Sequence, residues 1–238
     1  LGDVYKRQHF AQQGKVDEKA RAFNRYLGTT DMYASYDPAP FGAEMQHPHR
    51  MVDDALQWIG GDDDKPFMMW LSFPEPHNPY QVSEPYYSMF PPEKLPPMRT
   101  DIRDLAVKGP EYELLHEMMS LGHAGYYEHL DRLRSNYLGM IRLIDDQIAR
   151  FVEQLRKEGL YENTVFVVTA DHETGGLTIP SGNADFTRAS GIDYRFSTKG
   201  HTGTLVPVYL YGAGADAIRG VMDNTELARR IMELLGLE

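Results

Sequence analysis

The sequence predicts an α/β fold, a mostly parallel sheet flanked by helices, and three kinds of segment predict it. Pro66–Phe73 (PFMMWLSF) and Val165–Val168 (VFVV) are short continuous apolar runs, the pattern of strands covered on both faces. Between them Tyr137, Ile141, Ile144, Ile148, Phe151/Val152 and Leu155 recur at helical spacing, and Gly159 provides a stop. Thr204–Tyr211 then reads as a further strand, so strand and helix alternate.

Taken in order, residues 1–19 are polar and read as a lead-in to the first packed element. Met51, Val52, Ala55, Leu56 and Ile59 predict a helix from about His47, ended by Gly60-Gly61. Asp62–Asp64 reads as a solvated turn ahead of the Pro66–Phe73 strand. Pro74–Pro110 is rich in proline and tyrosine without periodicity, which predicts a long ordered loop rather than a core element. Residues 112–134 read as helical with an interruption at Gly122–Gly125, and the 137–155 helix follows. The turn Glu162-Asn163-Thr164 leads into the Val165 strand. Near the C-terminus Asp223 and Glu226 form a capping-box variant ahead of Leu227, Ile231 and Leu235. No internal repeat is visible.

The 238 residues suffice for one large domain or two small ones, and 42% hydrophobic with 25% charged is a globular balance. A net charge of −11 argues against a general nucleic-acid partner. It leaves room for an anionic substrate, since a bound cation inverts the local field. No apolar run approaches the roughly 20 residues that a membrane-spanning helix needs. Cysteine is absent, which removes disulfides, thiolate zinc sites and a cysteine nucleophile. The start, LGDVYKRQ, lacks an initiator Met and reads as a truncation.

Chemistry concentrates at the end of the second apolar run, in Thr169-Ala170-Asp171-His172-Glu173-Thr174-Gly175-Gly176. Carboxylate oxygen and imidazole nitrogen suit zinc and similar divalent cations, and open α/β sheets place ligands beyond the carboxyl ends of strands. Asp171 and His172 therefore read either as adjacent metal ligands or as a strand-end turn with the imidazole satisfied by a backbone carbonyl. Lys199-Gly200-His201-Thr202-Gly203 offers His201 as a third ligand or a solvated loop histidine, and Lys199 as an anion contact or a surface charge. His77, in Phe73-Pro74-Glu75-Pro76-His77-Asn78-Pro79-Tyr80, is held by prolines and reads as a substrate contact, a metal ligand or a packed loop residue. Glu75 reads as solvated. Asp145-Asp146 diverge by about 100° on a helix, so at least one of them faces solvent. His116, His123 and His129 read as a polar surface, His47 and His49 as a helix entrance, and Ser181–Ser197 as a border of the site or a plain connection.

These residues resemble the alkaline phosphatase superfamily, in two patterns. From about Arg25 to Thr164 the chain looks like a sulfatase, through PFMMWLSFPEPHNPY and SNYLGMIRLIDDQIARFVEQLRKEGLYENT. From Val165 to Glu238 it looks like the C-terminal part of a bacterial alkaline phosphatase, through TADHETGG and KGHTGTLVPVYLYGAGA. The phosphatase resemblance implies that Asp171 and His172 bind one zinc and His201 its partner zinc, with magnesium in an intact relative. The sulfatase resemblance implies calcium or a similar ion at the Asp-His position, and His77 and Lys199 against the sulfate group or substrate.

Both family patterns are incomplete here. Alkaline phosphatases carry a metal-binding Asp four residues before the histidine at the His77 position, and Phe73 stands there. No Cys/Ser-x-Pro-x-Arg precedes the sulfatase-like part, no Asp-Ser segment precedes the phosphatase-like part, and the N-terminal metal carboxylates of both are missing. The expectation is the C-terminal part of a longer enzyme or a hybrid joined near Thr164. The function expected is metal-dependent hydrolysis of a small anionic phosphate monoester, with sulfate-ester hydrolysis or an inactive metal-binding fragment as alternatives. The resemblance implies a periplasmic or secreted location and leaves the oligomeric state open.

Overall fold

The computed structural model describes residues 9–10, 18–61, 67–98, 103, 105, 110–173, 175, 177–178, 195–196 and 201–236. The chain divides into two compact units, Leu1–Gln154 and Leu155–Glu238. Asp62–Asp64, most of the lead-in and most of Ser181–Ser197 lie outside the described residues. Among those described, no helix is long and apolar enough to cross a membrane.

In the first unit β1 (His9–Phe10) pairs in parallel with β2 (Met69–Trp70). The strand expected over Pro66–Phe73 is thus confined to the two residues that have a partner, and Trp70 is 55% exposed rather than covered. Helix α1 (Glu18–Thr29) precedes α2 (His47–Ile59), which forms as its periodicity predicts. Pro48 sits in the first turn, where a missing N–H costs nothing, and Met51, Val52 and Ala55 are buried. The Gly60 N–H closes the helix on the Leu56 carbonyl at 3.0 Å.

The Pro74–Pro110 stretch departs from expectation. It holds a short helix, α3 (Tyr86–Met89), and a 3₁₀ turn at Pro92–Lys94, and it supplies core. Val82 and Tyr86 form one buried cluster with Met140 and Leu143. Irregular backbone can be buried only if its polar groups find partners, and amide side chains provide them here. Gln46 Nε2 donates to the Gln81 carbonyl at 3.0 Å, and Gln46 Oε1 accepts from the Ser83 hydroxyl at 2.7 Å. Asn136 Nδ2 donates to the carbonyls of Ser35 and Tyr80 at 3.1 and 3.0 Å.

Helix α4 (Pro110–Gly122) stops at the expected interruption, and α5 (Leu130–Lys157) follows. The predicted stripe on α5 holds at Leu155, which is buried, while Ile144, Phe151 and Val152 are half-buried. It is corrected at Tyr137, Ile141 and Ile148, which are exposed, whereas Leu133, Asn136, Met140, Leu143 and Gln147 are buried. The buried face includes two amides that hydrophobic periodicity does not count. Gly139 lies on that side, and a Cβ there would come within 2.6 Å of the Tyr86 carbonyl oxygen, so the close approach requires glycine. Tyr86 donates its phenol proton to Asp146 Oδ2 at 3.0 Å. Burial, reinforced by that carboxylate, pushes the phenol up to about 12. Asp145 is exposed, as expected for one of the pair.

In the second unit β3 (Val165–Val168) pairs with β6 (Tyr209–Gly212), and β4 (Leu177–Thr178) with β5 (Arg195–Phe196), both antiparallel. The fold remains α/β, but the strands that carry the expected ligands run in opposite directions. They are also less covered than their apolar sequence predicts: Val168 is 52% and Tyr209 66% exposed. The strand expected from Thr204 begins at Tyr209. Gly212 ends it with φ +100°, where a Cβ would overlap the Thr164 carbonyl. Helix α6 (Asn224–Leu234) is capped by Asp223, which accepts from the Glu226 N–H at 2.8 Å. Only half of the capping box forms, because the Glu226 carboxylate bonds Arg229 and Arg230 instead. Those two arginines hold it at about 2.

A candidate metal half-site

Strand direction assembles the site. Asp171 and His172 follow the end of β3, and His201 precedes the start of β6. In the antiparallel register Val168 faces Tyr209, so those two chain ends lie at one edge. Thr169 Oγ1 donates to the Pro207 carbonyl at 3.1 Å and extends the tie beyond the ladder. Parallel pairing would place the approach to β6 beside the start of β3.

At this edge the imidazoles of His172 and His201 meet with ring centroids 3.4 Å apart and planes tilted by 31°. Both Nδ1 atoms bond the Glu173 carbonyl, His172 at 2.9 Å and His201 at 3.1 Å. A carbonyl only accepts, so Nδ1 is the donor on both rings. Asp171 Oδ1 accepts the His172 backbone N–H at 3.0 Å, and Asp171 Oδ2 lies 3.3 Å from His172 Nε2. Of the two sequence readings of His172, the carbonyl contact of the strand-end turn is the one seen here. The Asp171 side chain is 83% exposed, so the edge is open.

The donor set fits a divalent transition metal. Metal-binding histidines usually donate their other N–H to a carbonyl or carboxylate. Two ligands about 2.1 Å from a tetrahedral zinc lie about 3.4 Å apart, close to the 3.3 Å between Asp171 Oδ2 and His172 Nε2. Among the described residues no three His, Asp or Glu side chains converge on one point, so the set is a partial one.

His77 belongs to the first unit and is exposed; its Nδ1 bonds the Asn78 carbonyl at 2.8 Å. The Glu75-Pro76 and Asn78-Pro79 bonds beside it are cis. Glu75 is corrected from solvated to buried: its side chain is 8% exposed, with Oε1 3.1 Å from His47 Nδ1. Lys199 lies outside the described residues.

His116, His123 and His129 have separate partners, as a polar surface requires. His116 stacks on Tyr127 at 4.0 Å, His123 Nδ1 meets Asp31 at 2.8 Å, and His129 packs on Tyr36 at 4.4 Å. Burial pushes the Asp31 carboxyl up, but hydrogen bonds from His123, Tyr33 and Ala34 outweigh it and hold the group below its ordinary value. Sequence reasoning passed over Glu173. Its carbonyl serves both imidazoles and its Oε1 accepts the Thr202 N–H. The only sequence signal was its place directly after the Asp-His pair.

The family described as Sulfatase matches residues 1–237. The chain belongs to the sulfatase family. It is similar to an arylsulfatase of Clostridium perfringens, 30% identical over 209 residues that make up 84% of this chain and 40% of that protein. It is also similar to alkaline phosphatase 3 of Bacillus subtilis, 45% identical over 40 residues, which is 17% of this chain and 9% of that protein. Among solved structures it resembles the phosphonate monoester hydrolase of Silicibacter pomeroyi, with a TM-score of 0.56 and 22% identity. That match covers 82% of this chain and 41% of that one, and it bears on the fold. The chain thus spans less than half the length of these relatives. The resemblance to the alkaline phosphatase superfamily is sustained, and the family match runs on from Val165 to Leu237 as well.

Proposed function

We propose that this half-site serves metal-dependent hydrolysis of phosphate monoesters. The observation that carries the reading is the pair of imidazoles in close ring contact, each with its Nδ1 on the Glu173 carbonyl. Nitrogen donors favour zinc, whereas calcium takes oxygen ligands. Asp171 and His172 would hold one zinc and His201 a second. A zinc pair bound there would supply Lewis-acid polarisation of the ester oxygens. Asp171 contributes the anionic charge, and the Glu173 carbonyl fixes the proton on the outer nitrogen of each ring. Lys199 and His77 are proposed substrate contacts, and no residue of this chain is assigned as the nucleophile. Magnesium would complete the metal set in the whole protein, whose substrate would be a small anionic ester and whose location would be periplasmic or secreted.

A second reading, hydrolysis of sulfate esters with calcium at the Asp-His position, is favoured by the arylsulfatase likeness over 84% of the chain. Calorimetry separates the two. The chain is expected to bind zinc in preference to calcium, and the zinc-loaded form to bind inorganic phosphate more tightly than sulfate, with both effects lost in His201→Ala. Preference for calcium and for sulfate would replace the first reading with the second. Parallel assays use p-nitrophenyl phosphate and p-nitrophenyl sulfate. Zinc binding without turnover of either ester would identify a metal-binding segment that is not itself catalytic.

A further inference from the structure

We infer that Glu173 is the positioning residue of this half-site, holding His201 over His172 through its carboxylate while its carbonyl sets both imidazole protons. The inference rests on the reading of Asp171, His172 and His201 as metal ligands. Two segments far apart in sequence must be brought into register here, and the β3–β6 ladder begins only at Tyr209, beyond the His201 loop. Thr202 Oγ1 is engaged within its own loop, 2.8 Å from Thr204 Oγ1, and ties the loop to itself. The bond from the Thr202 N–H to Glu173 Oε1 crosses between the segments immediately beside His201. The Glu173 carbonyl crosses in the same direction, to His201 Nδ1 at 3.1 Å, while also serving His172 Nδ1 at 2.9 Å. One residue thus braces the second histidine from both its backbone and its side chain. The carboxylate acts on the ligand through the loop, so its length should matter more than its charge.

That distinction supplies the test. Glu173→Gln keeps an oxygen acceptor at the same reach and removes the charge. Glu173→Asp keeps the charge and draws the acceptor back by one methylene. Zinc affinity by competition titration is expected to stay within about threefold of the unaltered chain in Glu173→Gln. In Glu173→Asp it is expected to fall about 10- to 100-fold, the usual cost of losing a group that orients a metal ligand. In the metal-free protein, ring-nitrogen NMR shifts should report the Nδ1-protonated form of both histidines in the unaltered chain and in Glu173→Gln. In Glu173→Asp, His201 should move to a mixture of tautomers while His172 is unchanged. Unchanged affinity and unchanged His201 shifts in Glu173→Asp would overturn the inference. A larger loss in Glu173→Gln than in Glu173→Asp would overturn it too, making the carboxylate a ligand by charge. Failure of the unaltered chain to bind zinc would instead sink the metal-ligand reading, and the metal-free shifts would still decide whether Glu173 holds His201.

Discussion

The two units of this chain draw their order from different sources. In the Leu1–Gln154 unit, Phe23, Met51, Val52, Ala55, Val82, Leu133, Met140 and Leu143 are almost wholly buried, and amide side chains satisfy the backbone enclosed with them. In the Leu155–Glu238 unit the buried hydrophobic residues among those described are Leu155 and Ile218. Its β3 and β6 strands are half-buried to exposed, and the candidate site is held by hydrogen bonds: the ladder, Thr169 to Pro207, and Glu173 to the two histidines and Thr202. The unit that holds most of the buried core is therefore not the one that carries the candidate site. Core substitutions in the first should be costly to stability, and those of the candidate-site side chains in the second costly mainly to binding.

Leu143→Ala should give the largest stability loss, about 2–5 kcal/mol in urea unfolding, because it opens a cavity in the Val82–Tyr86–Met140 cluster. A loss below about 1 kcal/mol, the level of an ordinary surface change, would break the contrast.

Tyr86 should give the next effect, visible only in alkali. Its phenol is raised from 10.0 to about 12, so the fold favours the neutral form. The stabilisation is complete below the unfolded value and is lost as pH climbs from about 10 towards 12, where the unfolded chain ionises first; it amounts to about 2–3 kcal/mol at most. Unfolding free energies measured across that window should fall in the unaltered chain, and Tyr86→Phe should flatten the slope.

Gly212→Ala should cost about 1–3 kcal/mol through strain at its positive φ, and it should loosen the β3–β6 ladder, read as faster amide exchange at Val165 and Phe166. Unchanged exchange would show that the ladder does not depend on this glycine. His201→Ala should be the smallest in stability, within about 0.5 kcal/mol, as for an exposed position, while lowering zinc affinity in the same sample. If it unfolds the chain, the separation of packing from chemistry fails.

Much of this was legible from residue order. The α2 helix, the break near Gly122, the long α5 helix, the Asp223 cap and the Asp-His pair after an apolar strand all follow from periodicity, capping chemistry and strand-end position. What was not legible has a common cause. The buried face of α5 is only partly legible because Asn136 and Gln147 are polar by composition and buried by hydrogen bonding or packing. Val82 and Tyr86 were assigned to a loop because an aperiodic segment gives no sign that distant amides will satisfy its backbone. Glu75 reads as solvated in the sequence because its partner His47 lies far away along the chain.

The sequence by itself determined the residue types of the candidate site: an aspartate and a histidine beyond one strand and a histidine ahead of another. It also determined the family, through motifs that run along most of the chain. Tertiary structure alone decided that these residues share one edge. Strand direction depends on which backbone pairs with which, and an apolar run looks the same in either orientation. Only the antiparallel register of Val168 with Tyr209 brings His201 to His172, and only then does the Glu173 carbonyl find two imidazoles to hold.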